Sequence, residues 1–224
     1  MIRAGAISAL IFCAASVQAA KAEESVLRER IAAPLAESHA GFASAVRDPA
    51  ATLTKVAAPL FRHTTFFRVE QRLPTRPVLF YVAVPEAGEP SLLSGTPAAF
   101  EAIVARDPAH VRTAAEAVAL ARLYFETTRD VGERHLLVES IDALPYRPSL
   151  EGAEATLRDQ SRRELTPKLR PLAATRAANG EFRVIGHAVD DTRLDELAFS
   201  IAKSGHVTLS VKPLRDDLPL VYTN

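Results

Sequence analysis

The most constraining feature of the sequence is an alternation of apolar and polar residues on both sides of a short polar segment near the end of the chain. The apolar positions are Leu197, Phe199, Ile201, Val207, Leu209 and Val211. A repeat of two residues is typical of β-strands that bury one face. If both apolar sets share that face, Leu197 lies opposite Val211, and Lys203-Ser204-Gly205 forms a three-residue loop. Gly205 fits the left-handed last position of such a loop without steric penalty, so the segment is predicted to be a β-hairpin.

The same hairpin contains two sequence fragments that also occur in penicillin-binding proteins and β-lactamases. Ser200 and Lys203 fit S-x-x-K, and Lys203-Ser204-Gly205 fits K-[ST]-G. An acylating serine needs its lysine on the same face, which residues three apart share only on a helix. In a strand, Ser200 and Lys203 point to opposite faces. One lysine would also have to serve both fragments, and no S-D-N occurs in the chain, so we exclude a serine acyl-enzyme.

Residues 1–22 have the pattern of a secretory signal peptide. Arg3 precedes an apolar run from Ala4 to Val17, and the small residues that follow allow cleavage after Ala19, Ala20 or Ala22. The run is shorter than the roughly 20 residues of a membrane-spanning helix. Phe12 directly precedes Cys13, whereas lipid attachment usually requires a small residue before the cysteine. We therefore predict an exported chain whose residues 23–224 form a single domain.

The composition excludes several classes of protein. Cys13 is the only cysteine, so a chain without its signal peptide has no disulfide, no thiol nucleophile and no cysteine-based zinc site. The sequence has 27 basic and 27 acidic side chains. Cleavage after Ala22 removes Arg3 and Lys21, which leaves a small acidic excess. This balance predicts no nucleic-acid partner, and no later segment is apolar enough to predict a transmembrane span.

The order of the predicted elements favours an α+β fold. Helical patterns cover residues 23–46, a short segment after Asp48-Pro49 that ends at Pro59, and residues 96–106, 113–128 and 150–165. Strand patterns cover residues 60–73, 78–84 and 135–140, and strands with turns fill the chain after Leu172. Because helices come early and strands late, we predict N-terminal helices packed on a curved, mainly antiparallel sheet that ends in a C-terminal β-meander. A cystatin-like or NTF2-like arrangement would suit this order.

The candidate site residues lie on one predicted strand and one predicted helix. On the strand over residues 60–73, His63 alternates with apolar residues, which predicts either a buried, hydrogen-bonded histidine or a general base in a pocket. The other face of this strand is predicted to be exposed and basic, with Arg62, Phe66, Arg68, Arg72 and Arg76. A second basic group on the charged helix consists of Arg158, Arg162 and Arg163. Both basic groups suit an anionic ligand. Acidic residues lie at helical spacing near the second group, however, and this favours a solvated helix face whose acidic and basic side chains pair with one another.

The remaining histidines and acidic residues do not predict a metal or cofactor site. If Ala188 lies beside Leu197, His187 and His206 are expected to lie about 16 Å apart, too far to share an ion. His39, His110 and His135 lie beside helix ends or strand starts, where capping or solvent exposure is the usual role. Asp190-Asp191 favours a turn. No nucleotide-binding or hydrolase motif occurs, so no cofactor is predicted.

Together these patterns predict a periplasmic or secreted, non-catalytic binding or accessory protein of the cell envelope. Its expected partner is an envelope protein or an anionic envelope ligand. One alternative is a hydrolase with dispersed pocket residues around His63, and another is a periplasmic inhibitor or immunity-type protein. A pocket that joins His63 to a carboxylate or a tyrosine would favour the hydrolase.

Overall fold

The computed structural model describes residues 7–74, 77–132 and 135–221, which form an α+β fold with two antiparallel sheets. The helices are α1 (Ile7–Leu35), α2 (Ala40–Arg47), α3 (Pro97–Arg106), α4 (Ala114–Thr128) and α5 (Gly152–Leu165), and a 3-10 turn spans Ile141–Ala143. The strands are β1 (Thr52–Val56), β2 (Thr64–Gln71), β3 (Val78–Pro85), β4 (Ser91–Leu92), β5 (His135–Leu137), β6 (Ala173–Arg176), β7 (Phe182–Asp190), β8 (Arg193–Ile201) and β9 (Val207–Arg215). We call β1–β4 the N-terminal sheet and β5–β9 the C-terminal sheet.

The predicted α+β class and the C-terminal meander are confirmed, but the strands do not form one curved sheet. The N-terminal sheet has the order β1-β2-β3-β4. In the C-terminal sheet the order is β5-β7-β8-β9, and β6 pairs with β7 beside β5. The single sheet of a cystatin-like or NTF2-like arrangement is therefore not supported.

Helices α3 and α4 lie between the two sheets. One continuous apolar cluster contains Phe66 and Tyr81 from the N-terminal sheet, Leu120 from α4 and Phe199 from the C-terminal sheet. Helix α4 begins with the predicted capping box, because the Thr113 hydroxyl accepts from the Glu116 amide at 3.2 Å and Glu116 accepts from the Thr113 amide at 2.9 Å. This cap and the apolar cluster fix α4 across the inner face of the C-terminal sheet, which is the face turned towards α4.

The outer layers are also helical. Ile31 of α1 and Val46 of α2 pack with Val69 and Phe80 on the far side of the N-terminal sheet. On the outer face of the C-terminal sheet, Leu165 of α5 packs with Val189 and Leu194. Each sheet is therefore covered on both faces, at least in part.

The predicted C-terminal hairpin is confirmed in register and in loop type. Leu197 lies opposite Val211 and Ile201 opposite Val207. The Ala202 amide donates to the His206 carbonyl at 2.9 Å, which closes the loop 203–205. Gly205 has a φ of +97°, the left-handed backbone that the sequence pattern predicted.

Two local predictions are wrong. The segment after Asp48-Pro49 is not a helix, because Thr52–Val56 pairs with β2 as the edge strand β1. Ala188 was expected beside Leu197, but Gly186 occupies that position and His187 lies opposite Glu196. The shift follows from a tight turn of two residues after Asp190, in which Asp191 has a φ of +52°.

Candidate functional site

A cavity of about 410 Å³ lies between the C-terminal end of α4 and the inner face of the C-terminal sheet. Tyr124 and Phe125 of α4 form part of its wall. Leu197 on β8 and Val211 on β9 supply apolar surface from the sheet. Charged and polar side chains also line this cavity, so its wall combines apolar and polar surface.

The polar surface includes a row of side chains across three neighbouring strands. His135 on β5 lies directly opposite Asp190 on β7, which lies directly opposite Arg193 on β8. Residues directly opposite one another in an antiparallel sheet point to the same face. All three side chains therefore line the cavity. His135 Nε2 lies 3.2 Å from Asp190 Oδ1, and Arg193 Nη2 donates to Asp190 Oδ2 at 2.8 Å.

Asp195 completes this arrangement from a position two residues beyond Arg193 on the same face. Arg193 Nε donates to Asp195 Oδ1 at 2.8 Å and Arg193 Nη2 donates to Asp195 Oδ2 at 2.9 Å. The Asp195 side chain is only 4% exposed. These hydrogen bonds raise the pKa of the Arg193 guanidinium above its ordinary value, which keeps this guanidinium cationic. The pair is therefore a fixed, charged wall of the cavity.

The chain that leaves α4 forms the remaining rim. Arg129 Nη1 donates to the His135 carbonyl at 3.1 Å, so this guanidinium ties the end of α4 to β5. Gly95 donates its amide to the carbonyls of Thr128 and Arg129. Asp130 reaches so close to Gly95 that a Cβ there would lie 2.5 Å from Asp130 Oδ1. A glycine at position 95 thus allows the α3 segment to approach the α4 end and narrow the cavity.

The charges on the cavity wall favour a basic ligand group. Its carboxylates belong to Asp130, Asp190 and Asp195, and its guanidinium groups belong to Arg129 and Arg193. Of these groups, three are carboxylates and two are guanidinium groups. Arg193 pairs with both Asp190 and Asp195. The positive charge of its guanidinium is therefore already compensated before a ligand binds. The site can bind an apolar group against Phe125 and Val211 and a hydrogen-bond donor at its polar surface.

The structure places His63 on the surface rather than in a pocket. Its side chain is 69% exposed, and its Nδ1 lies 2.9 Å from Oε2 of Glu86, which is equally exposed. The predicted division of this strand into a buried and an exposed face is wrong, because both faces of the N-terminal sheet are covered. The backbone amide of His63 instead donates to the buried carboxylate of Asp107 at 2.9 Å.

The other candidates on this strand do not form one exposed basic face. Phe66 is completely buried in the central apolar cluster. Arg68 donates to Glu70 at 2.7 Å, and Arg72 lies on the far side of the same carboxylate group at 3.6 Å. Arg62 is exposed and its backbone amide donates to Asp107. Arg76 lies outside the described residues.

The basic residues of α5 form ion pairs on its exposed surface. Arg158 pairs with Asp159 at 2.8 Å, and Arg162 pairs with Asp142 at 2.6 Å. Arg163 Nε donates to the Asp159 carbonyl at 3.3 Å. Neighbouring carboxylates thus compensate Arg158 and Arg162, but Asp159 is adjacent to Arg158 and Asp142 lies outside α5, so these ion pairs are not the ones that the helical spacing favours.

Sequence reasoning missed the residues of the cavity. His135 follows a helix and a turn, and Asp190 precedes a turn, so each has an ordinary local explanation. Arg193 and Asp195 alternate with Leu194 at the start of β8, and this pattern was the available signal. Charged residues on the face that also carries Leu197 and Phe199 indicate either a buried ion pair or a site.

Comparison with known proteins does not assign the chain to a class. No family model, no curated protein and no solved structure matches it. Within residues 7–74, 77–132 and 135–221, no group of three or more histidine, cysteine, aspartate or glutamate side chains could hold a metal ion. In the same part of the chain, no helix combines the length and the apolar character needed to cross a bilayer.

Proposed function

We propose that this chain is an exported binding protein of the cell envelope that takes an amphipathic ligand in the cavity between α4 and the C-terminal sheet. The observation that carries the proposal is the combination of apolar and charged side chains on the wall of one cavity. Leu197, Leu209 and Val211 supply apolar surface, and His135, Asp190 and Arg193 form a fixed polar row. Binding sites for small ligands commonly combine an apolar wall with a few convergent polar groups.

The proposed ligand carries a basic group. The wall has an excess of one carboxylate, and its arginine at position 193 is already bound by Asp190 and Asp195. An acidic ligand would compete with two carboxylates for this guanidinium, whereas a basic ligand would not. The preference is therefore electrostatic, and it weakens as the ionic strength rises.

Export of the chain is supported by the packing of α1. Ile31 and Leu35 of this helix are buried against the N-terminal sheet, while Gln18 and the residues from Lys21 to Val26 are exposed. Cleavage after Ala19, Ala20 or Ala22 would thus remove no side chain known to be part of the core. Intact mass of the protein from a secreting host checks this: we expect a chain that starts at residue 20, 21 or 23. A protein that retains residue 1 would contradict export by this route.

Ligand binding is tested with three probes that share an alkyl chain and differ in the polar group: octylammonium, octanol and octanoate. Chemical-shift titration of the isotope-labelled protein should show octylammonium binding about tenfold more tightly than octanoate, which corresponds to about 1.4 kcal/mol. The shifted resonances should belong to residues of the cavity. Equal affinity for all three probes would contradict the basic preference, and no binding of any probe would contradict the site.

Two matched variants locate the binding. Val211 lies at the cavity and is 47% exposed, whereas Leu136 lies on the outer face of the same sheet and is 48% exposed. Val211→Phe should fill part of the cavity and weaken octylammonium binding. Leu136→Phe adds similar apolar surface outside the cavity and should leave binding unchanged. Equal effects of both variants would place the binding elsewhere.

A further inference from the structure

The edge strand β9 presents backbone groups that continue directly into the cavity. Strand β9 pairs with β8 on one side, and no described strand pairs with its other side. An unpaired strand edge is a template for another extended chain. Whether it can be used depends on which of its amides and carbonyls point away from β8.

The hydrogen bonds at the hairpin loop settle this direction. The Ala202 amide donates to the His206 carbonyl, so this pair is of the hydrogen-bonded type. Pairs alternate between hydrogen-bonded and non-hydrogen-bonded along an antiparallel ladder. Thr208, Ser210 and Lys212 therefore bond to β8, while the backbone groups of the residues between them point to the open edge. The Val207 amide confirms this, because it points outward to Glu101 Oε1 at 3.2 Å.

Both ends of the open edge are blocked. At one end Glu101 already occupies the outward amide of Val207. At the other end Pro213 has no amide hydrogen to donate. Between them lie the outward amides and carbonyls of Leu209 and Val211, in the regular part of the ladder. These two residues also line the cavity with their side chains.

We propose that the ligand of the cavity is an extended peptide that adds to β9 beside Leu209 and Val211 and inserts a basic side chain into the cavity. This inference rests on the proposed function and names its ligand class. A peptide residue that hydrogen-bonds to Val211 points its side chain to the same face as Val211, which is the cavity face. The peptide backbone lies two strand spacings, about 10 Å, from β8. Asp195 pairs with Pro213, two residues along β9 from Val211, so its backbone lies about 12 Å from this peptide residue. A lysine or arginine side chain reaches part of the way towards the aspartates of the wall, whose excess of one carboxylate over the guanidinium groups complements its charge.

The unpaired part of the β9 edge is short, and this favours a peptide over a second copy of this chain as the occupant. Two copies of β9 paired about Ser210 would place Pro213 of one against Val207 of the other. Pro213 lacks the amide and Val207 has given its amide to Glu101, so neither could donate at these positions. In such a dimer only the backbone amides and carbonyls of Leu209 and Val211 would form hydrogen bonds. A short peptide bonds to the same groups and does not place Pro213 opposite Val207.

The probe is the peptide acetyl-Thr-Lys-Thr-Val-Thr-amide, with lysine opposite Val211 and valine opposite Leu209 in antiparallel pairing. In the free protein, the amides of Leu209 and Val211 should exchange with deuterium faster than those of Thr208 and Ser210. The peptide should slow exchange at Leu209 and Val211 at least about tenfold. A peptide with glutamate in place of lysine should bind about tenfold more weakly.

Two matched controls test the pairing itself. N-methylation of the peptide lysine removes an amide that faces β9, whereas N-methylation of the central threonine alters an amide that faces away. The first should abolish binding and the second should preserve it. In the protein, Val211→Pro removes the outward amide and spares the ladder to β8, whereas Val211→Thr keeps the amide and the shape but makes the cavity wall more polar. We expect Val211→Pro to abolish peptide binding and Val211→Thr only to weaken it. If Val211→Pro does not fold, the two N-methylated peptides alone test the pairing.

The outcomes separate this inference from the proposed function. Binding of octylammonium without binding of the peptide overturns the inference and leaves the cavity function standing. Peptide binding without protection at Leu209 and Val211 overturns the strand pairing. If the free protein is dimeric and the amides of Leu209 and Val211 exchange slowly, a second copy covers the edge of β9. This result would also overturn the peptide inference. If neither probe binds, the proposed function itself fails.

Discussion

Gly205 lies directly against Ala109, and a Cβ built on Gly205 would lie only 2.7 Å from the Cβ of Ala109. The two segments are also joined by backbone hydrogen bonds, since the Ala109 amide donates to the Ser204 carbonyl at 3.1 Å and the Val111 amide to the Lys203 carbonyl at 3.0 Å. The hairpin loop is therefore fixed against the segment that precedes α4. Gly205 has two roles here, because it reverses the chain and permits this close approach.

We expect Gly205→Ala to lower the free energy of unfolding by about 2–6 kcal/mol. The left-handed backbone costs about 1–3 kcal/mol for a residue with a side chain, and overpacking against Ala109 adds about 1–3 kcal/mol. Gly180→Ala is the matched control, because Gly180 also has a positive φ, of 83°, at the end of a hairpin loop. Its new Cβ would meet only the flexible end of Lys203. Urea unfolding should show the larger loss for Gly205→Ala, and equal losses would contradict the role of Ala109.

The C-terminal hairpin could be predicted in detail because all of its information is local. Apolar residues at a period of two fixed the faces, and the position of Gly205 fixed the loop. The register followed from matching the two apolar sets. The Asp190-Asp191 turn gave no such constraint, because either residue suits a turn, and the β7–β8 register was displaced by two residues.

The cavity could not be predicted, because it depends on which strands become neighbours. His135 and Asp190 are far apart in the sequence and meet only because β5 pairs with the end of β7. His63 was predicted from alternation alone to be buried or to line a pocket, but the chain before Thr64 is not part of the strand. Phe66 was expected on an exposed face, because the sequence does not show that α3 and α4 cover that face as well.

Ser200→Ala should leave the protein unchanged in stability and in ligand binding. Ser200 is an exposed residue opposite Thr208 in the hairpin, and the Lys203 side chain approaches Gly180 of the neighbouring hairpin. No base is therefore placed to activate its hydroxyl. We expect a change in unfolding free energy within about 0.5 kcal/mol. Neither wild type nor variant should become labelled by a fluorescent penicillin, and labelling that Ser200→Ala removes would refute the hairpin interpretation.

Removing one partner of the Arg193–Asp195 pair should lower the free energy of unfolding strongly, whereas replacing both partners with apolar residues should lower it only slightly. Arg193→Met leaves the buried Asp195 carboxylate without its guanidinium partner, which should cost about 3 kcal/mol. This value is at the lower end of the range for buried pairs because 41% of the Arg193 side chain is exposed. The double variant Arg193→Met with Asp195→Leu removes both charges and should regain most of this loss.

Urea unfolding of the two single variants and the double variant measures the coupling between these positions. If the double variant is stable but no longer binds octylammonium or the lysine peptide, the pair serves ligand binding rather than folding. Additive losses of stability would contradict a compensated ion pair. A double variant that binds as well as wild type would show that the polar part of the cavity wall does not contribute to recognition.

His187 should make the protein sensitive to mild acid. It lies on the outer face of the C-terminal sheet, is almost fully buried, and its Nδ1 has no hydrogen-bond partner. Burial lowers the pKa of His187 below its ordinary value of 6.5, and this effect exceeds the opposing charge of Glu196. The unfolded chain therefore binds a proton near pH 6.5 that the folded chain takes up only at lower pH. Protons then favour unfolding, so this contribution to stability is complete above about pH 6.5 and is lost as the pH falls below it.

We expect His187→Gln to remove this part of the pH dependence of the unfolding free energy between pH 7 and pH 5. Glutamine stays neutral throughout this range, so its folded and unfolded states take up no proton at position 187. His39→Gln alters an exposed imidazole at the start of α2 and should give the same pH dependence as wild type. Urea unfolding at a series of pH values compares the three proteins. Parallel curves of unfolding free energy against pH for wild type and His187→Gln would contradict this expectation. The buried imidazole would then accept its proton without opening the side of the sheet that packs against α5.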